Sequence, residues 1–132
     1  MGMVGIGREL KIINCHFEVG RGMIEGMTKQ QMINEIVGAI VAGYRPEKVI
    51  VFGSAARGDL DLANDLDLLV IKQGVGRLKQ NERYYEISET VPHRQLAIDV
   101  LVYTPREIKK RLYLGDPFIK QVLEEGKVVY GS

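Results

Sequence analysis

The sequence predicts a small α/β domain of the α+β kind, because short β-branched runs alternate with helical patterns and most helices are announced by a capping residue. Its 132 residues, 45% hydrophobic and 27% charged, suffice for one core and hardly two. The economical architecture is a small mixed β-sheet with helices packed mainly on one face.

The elements follow in chain order. Residues 1–26 are glycine-rich and weakly patterned apart from a strand-like run at 10–17, and are expected to be an N-terminal extension to which the sequence assigns no role. Met27 stands one residue before a helix cap and is a candidate natural start, so residues 27–132 are read as the single domain. Thr28-Lys-Gln-Gln has capping-box form, and Met32, Ile33, Ile36, Val37, Ile40 and Val41 recur at helical spacing, which predicts a helix over 28–43. After Arg45-Pro46, Lys48-Val-Ile-Val-Phe52 is a β-branched run closed by Gly53, a buried strand. Residues 54–57 open a short helix. Two further strands are expected over 66–71 and 96–103, with a connecting helix over 77–89 in which one of Tyr84 and Tyr85 packs inward and the other lies near the surface. Thr104-Pro105 and Asp116-Pro117 each place a cap before an N1 proline, starting two more helices, the second ending near Gly126. Residues 127–130 form a final edge strand.

Composition narrows the function. Eighteen basic residues against seventeen acidic ones leave a formal charge of +1, so nothing drives sequence-independent binding to a polyanion and a nucleic-acid partner is unsupported. The single cysteine, Cys15, cannot form an internal disulfide. The longest nearly apolar stretch, 36–44, falls far short of the ~20 residues that cross a bilayer. No continuous apolar signal-peptide region is seen, and a cytoplasmic location is expected.

The chemistry is concentrated at Gly53-Ser54, Asp65-Leu-Asp67 and Asp99. Asp65 and Asp67, two apart on a strand, project to one face, and Asp99 joins them if its strand pairs nearby. Two carboxylates ~4 Å apart repel by roughly 4 kcal/mol at an effective dielectric of 20, so the trio calls for a cation or a shared proton. With only oxygen donors, and neither His nor Cys near the motif, Mg²⁺ or Mn²⁺ is favoured over Zn²⁺. Gly53 at a strand end lets the backbone approach a phosphate, Ser54 adds a hydroxyl, and Arg57 supplies a planar cation for phosphate oxygens.

Competing motifs fail. Gly53 and Gly58 have Walker A spacing, but Asp59 and Leu60 replace the lysine and hydroxyl that loop needs. Gly74 and Gly76 lack the third glycine of a dinucleotide fingerprint, its place being taken by Lys79. Cys15-His16 has no further ligands, His93 belongs to a loop, and Lys109, Lys110 and Arg111 read as a solvated helix face.

The run Val51-Phe-Gly-Ser-Ala-Ala-Arg-Gly58, then Asn64-Asp-Leu-Asp-Leu-Leu-Val70, with Ile98-Asp-Val100 downstream, resembles the nucleotidyltransferase superfamily with a polymerase-β-like palm, especially its minimal, stand-alone (MNT-type) members. Asn64 departs from the serine usual before the first metal aspartate; asparagine still makes a local turn hydrogen bond. The resemblance implies an enzyme with two Mg²⁺ ions on Asp65, Asp67 and Asp99, and with Gly53, Ser54 and Arg57 on the phosphates. It moves a nucleoside monophosphate, AMP with ATP as default donor, to a hydroxyl acceptor. Minimal members commonly act as antitoxins on a helical HEPN-type toxin, so such a partner is expected. A non-catalytic binding antitoxin of the same fold and transfer to a small molecule such as an aminoglycoside are the alternatives. Homodimerisation is compatible with so small a sheet, but no stripe in the sequence marks an interface.

Overall fold

A computed structural model describes residues 28–56, 65–91 and 97–131. The first helix, α1 (Lys29–Tyr44), starts as the capping box requires: the Thr28 hydroxyl accepts from the Gln31 N–H at 3.0 Å, and the Gln31 side chain accepts from the Thr28 N–H at 2.9 Å. Its apolar stripe, Ile33, Ile36, Val37, Ile40 and Val41, is buried. Then follow β1 (Lys48–Phe52), a 3-10 turn (Gly53–Ala55), β2 (Asp65–Ile71), α2 (Gln80–Ser88), β3 (Ala97–Tyr103), α3 (Pro105–Tyr113), α4 (Pro117–Glu125) and β4 (Lys127–Tyr130).

The four strands form one mixed sheet in the order β3-β2-β1-β4. β1 runs antiparallel to both its neighbours, and β2 pairs parallel with β3. Alternation along each strand sorts the side chains between two apolar clusters. Val49, Val51, Leu66, Leu68, Val70, Ile98, Val100 and Val102 face the larger cluster with α1 and Ile87 of α2. Ile50, Leu69 and Ile71 face a smaller one beneath Ile108 of α3 and Ile119 and Val122 of α4, with Phe52, Leu101 and Tyr103 at its margin. The larger core thus lies on the face of α1 and α2, and the capped helices α3 and α4 add a second, smaller layer on the other.

Two expectations are corrected in α2. The helix begins at Gln80 rather than 77, because Lys79 is extended and its N–H is taken by the Glu82 carboxylate at 2.8 Å. Tyr84 and Tyr85 are both exposed, at 37% and 66%; the inward positions, four apart, belong to Arg83 and Ile87. The short helix at the glycine-serine turn is a 3-10 helix over Gly53–Ala55, and Arg57, like Asn64, Cys15, His16 and His93, lies outside the described residues.

Arg83 is the polar centre of the fold. Only 4% exposed, it donates from Nη1 to the Val102 carbonyl at 2.7 Å and from Nε to the Leu78 carbonyl at 2.9 Å. It also forks onto both Glu107 oxygens at 2.8 and 2.9 Å. Glu107 in turn accepts from the Thr104 N–H at 2.9 Å, closing the capping box of α3. The side-chain hydrogen bonds from Arg83 hold the Glu107 carboxyl below its ordinary value and raise that of the arginine. A carboxyl whose folded value is depressed adds stability that is complete above its unfolded value, ~4.3, and lost as pH falls through the folded one. Resistance to urea denaturation is therefore expected to fall below about pH 4, and part of that acid sensitivity disappears in Glu107→Gln, whose amide does not titrate.

Candidate active site

Strand parity and register assemble the site. Leu66 and Leu68 are fully buried under α1, so Asp65 and Asp67, at the alternate positions of β2, lie on the other face. Ile98 and Val100 likewise place Asp99 of β3 on that same face. The pairing puts Asp67 opposite Asp99 on one side and opposite Phe52 on the other, with Asp65 opposite Ala97. Adjacent strands lie ~4.8 Å apart and alternate residues ~6.6 Å apart, so the backbone positions of the three aspartates are neighbours at one end of the sheet. Asp65 and Asp99 are exposed and Asp67 is half-buried. The apolar layer under α3 and α4 stops before this end: on β2 the residues facing it change from Leu69 and Ile71 to Asp67 and Asp65.

Gly53 adjoins Asp67. Its φ of +76° lies in the left-handed region that favours glycine, and a Cβ there would collide with the Asp67 carboxylate, whose Cγ would be 3.2 Å away. The 3-10 turn that Gly53 opens has no side-chain cap, and the first N–H groups of such a turn have no intrahelical acceptor; Ser54 within it is half-buried.

Two cavities flank the acidic end. One of about 110 Å³ adjoins Gly53 and is walled by Phe52 with Phe118, Gln121 and Glu125 of α4. The Phe52 and Phe118 rings meet edge to face, with centroids 5.6 Å apart. The other, about 470 Å³, opens beside Asp99 and is lined by Phe52 and by Gln80, Asn81 and Tyr84 of α2. Sequence reasoning missed Phe118, Gln80 and Asn81, which come to the site only through tertiary packing and belong to no spaced motif.

Among the described residues no three acidic, Cys or His side chains converge as a ready-made ion cage. The backbone nevertheless sets three oxygen-donor side chains on one face at adjacent strand positions, a donor set that fits a hard divalent cation.

The profile of the family described as "Nucleotidyltransferase domain" matches residues 32–130, three quarters of the chain. This chain belongs to the nucleotidyltransferase domain family. A Methanocaldococcus jannaschii protein named "Putative protein adenylyltransferase" is 30% identical over 106 residues, covering 79% of this chain and all of the relative. A second protein of that name from the same organism is 32% identical over 80 residues, covering 61% of this chain and 75% of its own length. A crystal structure described as "a putative nucleotidyltransferase from Sulfolobus solfataricus" is 28% identical, covers 67% of this chain and 85% of that one, and has a TM-score of 0.48. The family match supports nucleotidyltransferase activity and the polymerase-β-like α+β fold. No helix among the described residues is long and apolar enough to cross a membrane.

The close contact at Gly53 yields a prediction for this nucleotidyltransferase. Gly53→Ala is expected to cost ~1–2 kcal/mol for the left-handed backbone and to displace the Asp67 carboxylate. Nucleotidyl transfer should therefore fall further than the shift in thermal midpoint alone implies. Equal activity in the variant would show that the turn does not position Asp67.

Proposed function

We propose that this nucleotidyltransferase moves AMP from ATP to a hydroxyl group of a partner protein. The reading also covers two Mg²⁺ ions as cofactor, held by Asp65, Asp67 and Asp99, a helical HEPN-type toxin as the partner, an antitoxin role and a cytoplasmic location. The observation that carries it is the register of Asp67 opposite Asp99, with Asp65 on the same face and the Gly53 turn against Asp67. The name protein adenylyltransferase, borne by both archaeal relatives, supports a protein as acceptor.

Bound divalent ions supply the positive charge that a triphosphate requires and that lowers the pKa of an attacking hydroxyl. The chain's own groups divide the remaining work. The Gly53 backbone and Ser54, with Arg57 of the sequence motif, hold the β and γ phosphates and so set the direction in which pyrophosphate leaves. Asp99, beside the larger cavity, faces the acceptor and takes up its hydroxyl proton. The two cavities fit this division, donor on the Gly53 side and acceptor on the Asp99 side.

The test incubates the purified chain with each nucleoside triphosphate labelled at the α phosphate, Mg²⁺ and a HEPN-type partner encoded beside it. Label from ATP is expected on the partner and is lost when the metal is chelated. Absence of both label transfer and pyrophosphate release would overturn the reading. Undiminished neutralisation of the partner by an Asp65→Ala, Asp67→Ala protein would replace it with binding alone.

A further inference from the structure

Among the described residues β3 is the outermost strand on its side of the sheet, and its outer edge is used unevenly. Val102 turns its backbone away from β2: its N–H reaches the Gln80 side-chain carbonyl at 3.3 Å, and its own carbonyl accepts from the Gln80 amide at 2.7 Å. Gln80 thus stands in for the peptide group of a neighbouring strand. Because backbone direction alternates along a strand, Val100 also turns its N–H and carbonyl outward, one repeat nearer the acidic end. Among the described residues these two groups have no partner. The cavity of about 470 Å³ opens at this position, walled by Gln80, Asn81 and Tyr84 on one side and by Asp99 and Val100 on the other.

An unpaired edge position is a template for another strand, and main-chain pairing is one of the recurring ways in which proteins hold extended peptides. We infer that the acceptor protein docks as an extended segment, adding a strand to β3 at Val100 and presenting a Ser, Thr or Tyr side chain next to Asp99. The inference rests on the proposed transfer to a protein hydroxyl and deepens it. A strand added ~4.8 Å from β3 brings a same-face side chain to within ~5.5 Å of Asp99 at the Cβ atoms, close enough for a hydroxyl to meet the carboxylate. The hydroxyl oxygen then bonds to the α phosphorus of ATP, the bond from that phosphorus to the bridging oxygen breaks, and pyrophosphate leaves with the electron pair. The hydroxyl proton passes to Asp99 and on to solvent. Gln80, filling the next edge position, ends the docking strand at Val100 and fixes its register relative to the carboxylates.

The test offers the intact chain, with Mg²⁺ and ATP labelled at the α phosphate, a mixture of end-capped heptapeptides carrying a central Ser, Thr or Tyr. The same mixture is also prepared with every second amide N-methylated, in each of the two phases. Labelling of the unmodified peptides is expected to survive one phase of methylation and to be lost in the other, since only one phase removes N–H groups facing β3. Hydrogen exchange of the Val100 amide should slow by about tenfold or more when the peptides are added. Equal behaviour of the two phases, or labelled peptides with unchanged Val100 exchange, overturns strand addition. Pyrophosphate release into water or glycerol with no label on any peptide overturns the docking and leaves nucleotidyl transfer standing. No pyrophosphate release with any acceptor overturns the underlying reading as well.

Discussion

Asp67→Asn is expected to lower nucleotidyl transfer by about 10³ or more, corresponding to ~4 kcal/mol of lost transition-state stabilisation. The size follows from position. Asp67 alone of the three aspartates stands between the other two parts of the site, opposite Asp99 of β3 on one side and opposite Phe52 of β1 and against Gly53 on the other. An amide keeps the shape of the side chain and removes the charge that a divalent ion needs. Far-UV circular dichroism should stay native, because Leu66 and Leu68, which hold this part of β2 in the core, are untouched. The check is transfer from labelled ATP at saturating Mg²⁺; full activity in the variant would remove Asp67 from the chemistry without changing the family to which the chain belongs.

The second large effect concerns stability. Arg83→Ala is expected to destabilise the domain by ~3–5 kcal/mol, because removing one member of a buried pair leaves the other uncompensated. The lower part of that range is favoured, since 33% of the Glu107 side chain stays in contact with water. Two further losses accompany it: the Leu78 carbonyl loses its guanidinium donor, and the Val102 carbonyl keeps only Gln80. Arg83→Lys should restore only part of the stability, as an ammonium cannot reproduce the fork onto both Glu107 oxygens. Urea unfolding of Arg83→Ala, Glu107→Ala and the double variant measures the coupling; strictly additive losses would show that the pair contributes no interaction energy of its own.

These residues also mark how far the sequence was legible. Thr28, Thr104 and Asp116 announced three helices, and each is a working cap, because capping is a local exchange of hydrogen bonds. The strands β1 and β4 have the predicted extents, and β2 starts one residue earlier than predicted, since apolar runs bounded by turn residues leave little choice. The one-face placement of Asp65 and Asp67 is a matter of period and could be read directly. That Asp99 falls opposite Asp67 is a matter of parallel register between residues 32 positions apart in the chain, which no local pattern encodes. Arg83 was illegible for a related reason: in an exposed-looking helix a charged residue reads as solvent-facing, and only the Val102 carbonyl and Glu107 make its burial tolerable. Tyr84 and Tyr85 suffered the converse error, their apolar rings suggesting an inward position that the arginine occupies.

The order β3-β2-β1-β4 sets β2 between two hydrogen-bonded neighbours, and two of the three carboxylates ride on it. An interior strand is held by a ladder on each side, and on β2 the doubly paired stretch runs from Asp67 to Ile71, so the amides of Leu68 to Val70 should be among the slowest to exchange in the domain. The reactive groups are thereby tied to the last element to melt. Catalytic loss on heating should then track cooperative unfolding rather than precede it.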